Sequence, residues 1–135
     1  MEMKENIIEE APYCFACGKN NPIGLKIDFT LDSGIVTGTF VPGEFHVGYQ
    51  NTIHGGILFA ALDDVMANVL YLQNIKAHTA KCEVRYRLPL KVGEEVNLKG
   101  WIEFQKKRLY MMKGEIRKVE SQELVAESEA SFISF

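Results

Sequence analysis

Apolar and polar positions alternate strictly from Leu25 to Leu31, where Leu25, Ile27, Phe29 and Leu31 are separated by Lys26, Asp28 and Thr30. A period of two is the signature of a half-buried strand. Asp32-Ser33-Gly34 signals a turn, and Ile35 to Val41, rich in Ile, Val, Thr and Phe, predicts the returning strand of a hairpin that Pro42-Gly43 ends. From about His54 to Leu72 the alternation gives way to helical spacing, with Ile57, Leu58, Ala60, Ala61, Leu62, Val65, Met66, Val69 and Leu70 as its apolar positions. That helix is apolar over most of its circumference, interrupted by Asp63, Asp64 and Asn68, so it is predicted to be buried on several sides. Strand patterns then resume. From Thr79 to Leu88, Ala80, Cys82, Val84, Tyr86 and Leu88 alternate with Thr79, Lys81, Glu83, Arg85 and Arg87. After a turn at Lys91-Val92-Gly93-Glu94, a strand puts Val96, Leu98, Ile102 and Phe104 on one face, and Gln105-Lys106-Lys107 turns the chain back. In the following strand, Arg108 to Lys118, the shared face carries Tyr110, Met112 and Ile116, and Gly114 marks a bend or a close backbone approach. The last strand, about Glu123 to Phe135, aligns Leu124, Ala126, Ser128, Ala130 and Phe132, small residues that let a helix sit close. Two strands, one buried helix and four consecutive antiparallel strands make an α+β arrangement with a sheet of about five to six strands, which excludes the alternating pattern of a dinucleotide-binding fold.

Composition narrows the class. A chain of 135 residues is the size of one domain, predicted over 1–135 with a loop region at 1–24, and 47% apolar residues are enough to build its core. The formal charge of −3 offers no basic field, so nucleic acid is not an expected partner. The stretch from Met1 to Asn6 is polar, and no run approaches the roughly 18 apolar residues of a membrane span. A cytoplasmic protein without a membrane partner is expected. Three cysteines, Cys14, Cys17 and Cys82, do not make a disulfide framework, which suits a reducing compartment. Cys14 and Cys17 form a CxxC, but a structural zinc usually takes four protein ligands. With Cys82 in a strand pattern and only His46, His54 and His78 as other candidates, the pair is read as small thiols packing a loop, and no metal is assigned.

Candidate chemistry concentrates in His54-Gly55-Gly56 and the helix that follows. Two glycines at a helix start leave bare backbone N–H groups within reach of a ligand oxygen, the makings of an oxyanion site. A tight entry turn alone also explains the glycines. Asp63 adds weight to the first reading, because a carboxylate in an apolar helix is costly unless paired or used. Gly55 and Asp63 lie eight residues apart, about 12 Å along a helix and about 80° around it. A carbonyl under attack must lie about 3 Å from both its oxyanion donor and its base or nucleophile. One helix cannot supply both to one substrate, so cooperation between them requires two chains around a two-fold axis.

These residues resemble the hotdog-fold acyl-CoA thioesterases of the PaaI or 4-hydroxybenzoyl-CoA thioesterase type. Three motifs carry the resemblance: His54-Gly55-Gly56 followed by Asp63; Val84-Arg85-Tyr86-Arg87-Leu88-Pro89 followed by Gly93-Glu94; and Cys14-Phe15-Ala16-Cys17-Gly18 with Asn21-Pro22-Ile23-Gly24-Leu25. The resemblance implies a hotdog fold, one long helix wrapped by an antiparallel sheet, in a homodimer or a dimer of dimers that forms a homotetramer. It also implies hydrolysis of an acyl-CoA thioester to free acid and CoA, with no cofactor beyond the coenzyme A of the substrate. Asp63 would be the nucleophile or general base, Gly55 N–H the oxyanion donor from the opposite subunit, His54 the residue orienting the helix entry or the carbonyl, and Thr79 the hydroxyl that positions water. One departure stands out: six positions before the His, where many relatives carry Asn or Gln, this chain has Gly48, and Gln50 or Asn51 would have to substitute.

For the substrate, Gly56 belongs with the anion-binding glycines, and Phe59 and Met66 are candidate walls of an acyl pocket. CoA phosphates call for cations, for which Arg85 and the Lys106-Lys107-Arg108 group are candidates; a solvated charged turn is the other reading of that group. The alternatives to hydrolysis are a non-catalytic acyl-CoA binding or sensing domain on the same fold and a hotdog hydratase or dehydratase.

Overall fold

A computed structural model describes residues 4–5 and 11–135. Its strands are β1 (Lys4–Glu5), β2 (Phe29–Asp32), β3 (Ile35–Phe40), β4 (Val47–Tyr49), β5 (Thr52–Ile53), β6 (Ala77–Tyr86), β7 (Val96–Lys106), β8 (Leu109–Lys118) and β9 (Leu124–Ser134), with one helix, α1 (Gly55–Tyr71). The expected succession of two strands, a helix and four strands is present. The main sheet runs β1-β2-β3-β7-β8-β9-β6, antiparallel throughout, so six substantial strands carry the two-residue β1 at one edge. β4 and β5 form a separate small hairpin. β6, the strand that leaves the helix, pairs with β9 rather than with β7 and becomes the other edge.

The helix lies in the concave face of this sheet, with Leu58, Ala61, Leu62, Val65, Met66, Val69 and Leu70 all buried. Its close seat has a local cause. Gly100, Gly114 and Ser128 are register partners on β7, β8 and β9, which makes a row of small residues across three strands. A Cβ at Gly100 would stand 2.8 Å from the Val65 carbonyl oxygen, and one at Gly114 would stand 2.7 Å from Ser128 Oγ and 3.2 Å from Met66 Cγ. Gly114 is thus a close approach, one of the two readings its sequence position allowed.

Three bulges change which residues face inward. At the start of β6, Thr79 pairs with Phe132 and Lys81 with Ser131, leaving Ala80 as the extra residue. Simple alternation had put Ala80 on the face of Cys82 and Thr79 opposite; the bulge turns Thr79 toward the helix and Ala80 outward. A second bulge between Ile102 and Phe104 turns Phe104 off the core face, where it is exposed, and a third beside Leu124 buries Val125 in its place. The predicted strand from Leu25 is also shorter than expected. Leu25 and Ile27 are buried, but their N–H groups bond the carbonyls of Phe15 and Ala16, and Lys26 has φ +55°, so this segment lies on the CxxC loop and enters the sheet only at Phe29.

Candidate active site

His54 caps α1: its Nδ1 accepts the Gly56 N–H at 2.8 Å, and its carbonyl oxygen accepts from Ile57 and Leu58. Because Nδ1 is the acceptor, the neutral ring carries its proton on Nε2, leaving that N–H for a ligand. Among the described residues, Gly55 is then the first-turn amide for which no acceptor is found. The entry is locked from both sides. Tyr86 Oη donates to the Gly55 carbonyl at 2.9 Å, and a Cβ at Gly55 would touch the Tyr86 ring at 3.4 Å. Burial and the neighbouring Cys82 raise the Tyr86 hydroxyl above its ordinary value, keeping it a donor.

On the other side of the same region, Thr79 Oγ1 donates to Asp63 Oδ1 at 2.8 Å. The carboxylate and hydroxyl singled out in the sequence are therefore in contact, through the bulge at Ala80. Cys82, further along β6, has its thiol pushed up to about 11, first by burial and then by the charges of Asp63 and Glu83. Gly55 with Tyr86 and Asp63 with Thr79 sit at opposite ends of β6, seven residues apart, or about 23 Å of strand.

The remaining candidates fall in several places. Gln50 and Asn51 form the exposed tip of the β4–β5 hairpin, Asn51 at φ +53° with its carbonyl accepting from Val92 N–H. Gly48 in the same hairpin is pressed against His54, where a Cβ would stand 3.1 Å from the imidazole Cδ2. A longer residue there would push on the helix cap. Phe59 is part exposed at 38%, but Met66 is wholly buried, its sulfur accepting from Ser128 Oγ at 3.3 Å, and it lines no surface of the single chain. Arg85 is exposed on β6, while Arg87 is engaged by Glu127. Lys106, Lys107 and Arg108 make the exposed turn between β7 and β8, three strands from β6, about 14 Å across the sheet. The structure does not bring that turn to the Asp63–Thr79 pair of the same chain. His78 lies within β6 and stacks on Phe135; His46 ends a short 3-10 helix and accepts the Gly43 N–H.

Asp64, next to Asp63, points elsewhere. Cys14 Sγ is 3.6 Å from its Oδ1, and Asn68 Nδ2 donates to its Oδ2 at 3.2 Å. The hydrogen bond from Cys17 pulls the Cys14 thiol down to about 5, the same interaction with burial raises Cys17, and burial followed by the Cys14 charge pushes Asp64 up to about 7. The sequence pattern did not join Asp64 and Asn68 to the distant CxxC; helical spacing put the two on one face of α1, but only the folded loop shows what that face meets.

The family model for the thioesterase superfamily matches residues 50–125, more than half of the chain and the whole of α1. The chain belongs to the thioesterase superfamily. Among solved structures, it is similar to a thioesterase superfamily protein at TM-score 0.84 and 23% identity, over 90% of this chain but only 60% of that one. It is also similar to a hypothetical thioesterase from Streptococcus pneumoniae solved with coenzyme A, at TM-score 0.74 and 19% identity over 78% of this chain and 81% of that one. A third is the Escherichia coli PaaI protein from the phenylacetic acid degradation operon, at 0.76 and 23% over 81% and 83%. These likenesses establish the hotdog fold. The pneumococcal protein was also crystallised with one aspartate and, separately, one threonine replaced by alanine, and those positions are 16 apart. No curated protein matches the sequence. Among the described residues no helix is long and apolar enough to cross a membrane.

Proposed function

We propose that this superfamily member hydrolyses an acyl-CoA thioester to the free acid and CoA, with Asp63 as general base or nucleophile and Gly55 N–H as oxyanion donor. The observation that carries the reading is the Thr79–Asp63 hydrogen bond: a hydroxyl holds one carboxylate oxygen and leaves the other to take a proton from water or to attack carbon directly. The 16-residue spacing of that pair equals the spacing of the positions replaced in the CoA-bound pneumococcal thioesterase, which supports the assignment. The chemistry asks for no metal or redox cofactor: the carboxylate supplies the proton acceptor, and the helix N-terminus stabilises the developing oxyanion. His54, through its Nε2–H, orients the carbonyl. A binding or sensing domain would gain little from a carboxylate beside an uncharged thioester.

The two halves of this machinery lie too far apart in one chain to share a substrate. Among the described residues β6 is a ten-residue edge strand with one hydrogen-bonded neighbour, β9, and a long unpaired edge invites a second copy. Antiparallel pairing of two such edges sets Thr79 and Asp63 toward Tyr86 of the partner subunit and the partner's Gly55, making two equivalent sites. Tyr86, 51% exposed, lies on that edge strand. The cations facing CoA phosphate, Arg85 and the Lys106–Arg108 turn, would then be drawn from either chain, and a reducing, cytoplasmic setting suits the free thiols.

The test is release of free thiol from a panel of short, medium, long and aromatic acyl-CoAs, with light scattering on the same samples. Turnover by a dimer or tetramer is expected; full activity in a monomer sinks the shared site. No thiol release from any substrate, with acyl-CoA still bound, establishes the binding domain instead. Thr79→Ala is expected to lower kcat about tenfold with KM little changed, the effect of one lost hydrogen bond to a charged group. Thr79→Ser, which keeps the donor, should retain most of the rate.

A further inference from the structure

The N-terminal loop and the outer side of α1 meet at a cluster that the hydrolytic reading leaves unused. Cys14 Sγ, Cys17 Sγ and a carboxylate oxygen of Asp64 all lie within 4.8 Å of one another. We propose that Cys14, Cys17 and Asp64 bind a divalent transition metal of the zinc class, with water completing the shell, and that this metal clamps the N-terminal loop to the helix.

The ligand chemistry and the distances both fit. Two thiolates and a carboxylate are donors that zinc accepts, with bonds of about 2.3 Å to sulfur and about 2.1 Å to oxygen. Around a tetrahedral centre those bonds separate sulfur from oxygen by about 3.6 Å, and Cys14 Sγ is 3.6 Å from Asp64 Oδ1. The chain reaches this geometry by construction. Gly18 N–H bonds the Cys14 carbonyl at 2.8 Å, closing the turn that brings the two sulfurs together, and a Cβ at Gly18 would stand 2.3 Å from Cys14 N. Leu25 and Ile27 bond back to Phe15 and Ala16, so the second half of the N-terminal motif holds the first in place. Thiols that merely filled space would not need a glycine enforced at that position.

Asn68 positions one of the three ligands. It is 2% exposed, and among the described residues its Oδ1 has no hydrogen-bond partner. Its Nδ2 donates to the Asp64 carbonyl at 2.9 Å and to Asp64 Oδ2 at 3.2 Å, and lies 4.0 Å from Cys17 Sγ, so it holds the carboxylate toward the sulfurs. Cys14 and Asp64 are half-buried, so an ion can enter from the loop side. Metal binding expels the thiol protons and leaves two thiolates and a carboxylate on one dication, with no change of oxidation state. Asp63 and Asp64 are neighbours whose side chains diverge by about 100° around the helix, so the clamp sits beside the Asp63–Thr79 pair without sharing a residue with it.

Cobalt(II) titration of the full chain tests this, with tags removed and the protein held reduced and anaerobic by a phosphine that does not chelate. The expected result is a thiolate-to-cobalt charge-transfer band that saturates at about one ion per chain and is displaced by zinc. Zinc should raise the melting temperature by about 5–10 °C over the chelator-treated protein. Cys14→Ser and Cys17→Ser should abolish the band, Asn68→Leu should weaken cobalt binding about tenfold, and Cys82→Ser should leave it intact. The band in the unaltered chain reports thiolate ligation even where a variant fails to fold. A reduced chain that shows no band, or that closes a Cys14–Cys17 disulfide with no metal uptake, overturns the proposal, as does a band that survives both Cys14→Ser and Cys17→Ser.

Discussion

Asp63→Asn is expected to reduce thiol release from the preferred acyl-CoA by about 10²–10⁴-fold, the range a positioned general base contributes. The substitution is nearly isosteric, and the amide oxygen of Asn still accepts the Thr79 Oγ1–H that now reaches Asp63 Oδ1 at 2.8 Å. What disappears is the capacity to take a proton or to attack carbon. The melting temperature should therefore stay close to that of the parent, and KM should move little while kcat collapses, the pattern of an interaction made only in the transition state. Asp64→Asn is the informative neighbour, because Asp64 faces Cys14 and Asn68 instead of β6. Full turnover in Asp63→Asn together with loss in Asp64→Asn would shift the catalytic carboxylate by one position and break the link to Thr79.

The different surroundings of these adjacent aspartates show how far the sequence could be read. Periodicity located α1 to within a residue of each end, and it gave the order of strands, because a buried helix and half-buried strands differ in period by nearly a factor of two. The glycines at the helix start and the interrupting carboxylates marked the candidate site. The bulges stayed hidden. An extra residue in one strand leaves no mark in an alternating pattern, yet the one at Ala80 decides that Thr79 faces Asp63. Sheet order was equally silent: consecutive strands usually pair, and β6 instead crosses to β9, which makes it the edge that a second copy would cover. The cysteine cluster was missed for a third reason. Its parts are 50 residues apart in the chain, joined only by a loop fold that backbone hydrogen bonds create. A metal reading limited to Cys and His had no cause to consider an aspartate on the helix.

Gly100→Ala is expected to be the most destabilising single-methyl change in the row of small residues under the helix, about 3 kcal/mol and a fall of about 10 °C in melting temperature. The new Cβ would meet Val65 O at 2.8 Å, Val65 C at 3.1 Å and Met66 N at 3.3 Å, all backbone atoms of the helix middle. No rotamer change relieves such a contact; the helix itself must lift from the sheet, and every side chain beneath it loses packing. Gly114→Ala makes an equally short contact, 2.7 Å, but against Ser128 Oγ, a side-chain atom that can rotate away. Its cost should be smaller, about 1 kcal/mol. Adding Ser128→Ala should recover most of that loss and none of the loss from Gly100→Ala. Thermal unfolding of the four variants decides the matter. A Gly100→Ala protein melting within about 2 °C of the parent would mean that the helix can shift freely over its row of small residues. The Asp63–Thr79 contact, which depends on where α1 sits against β6, would then have to be held by something other than that row.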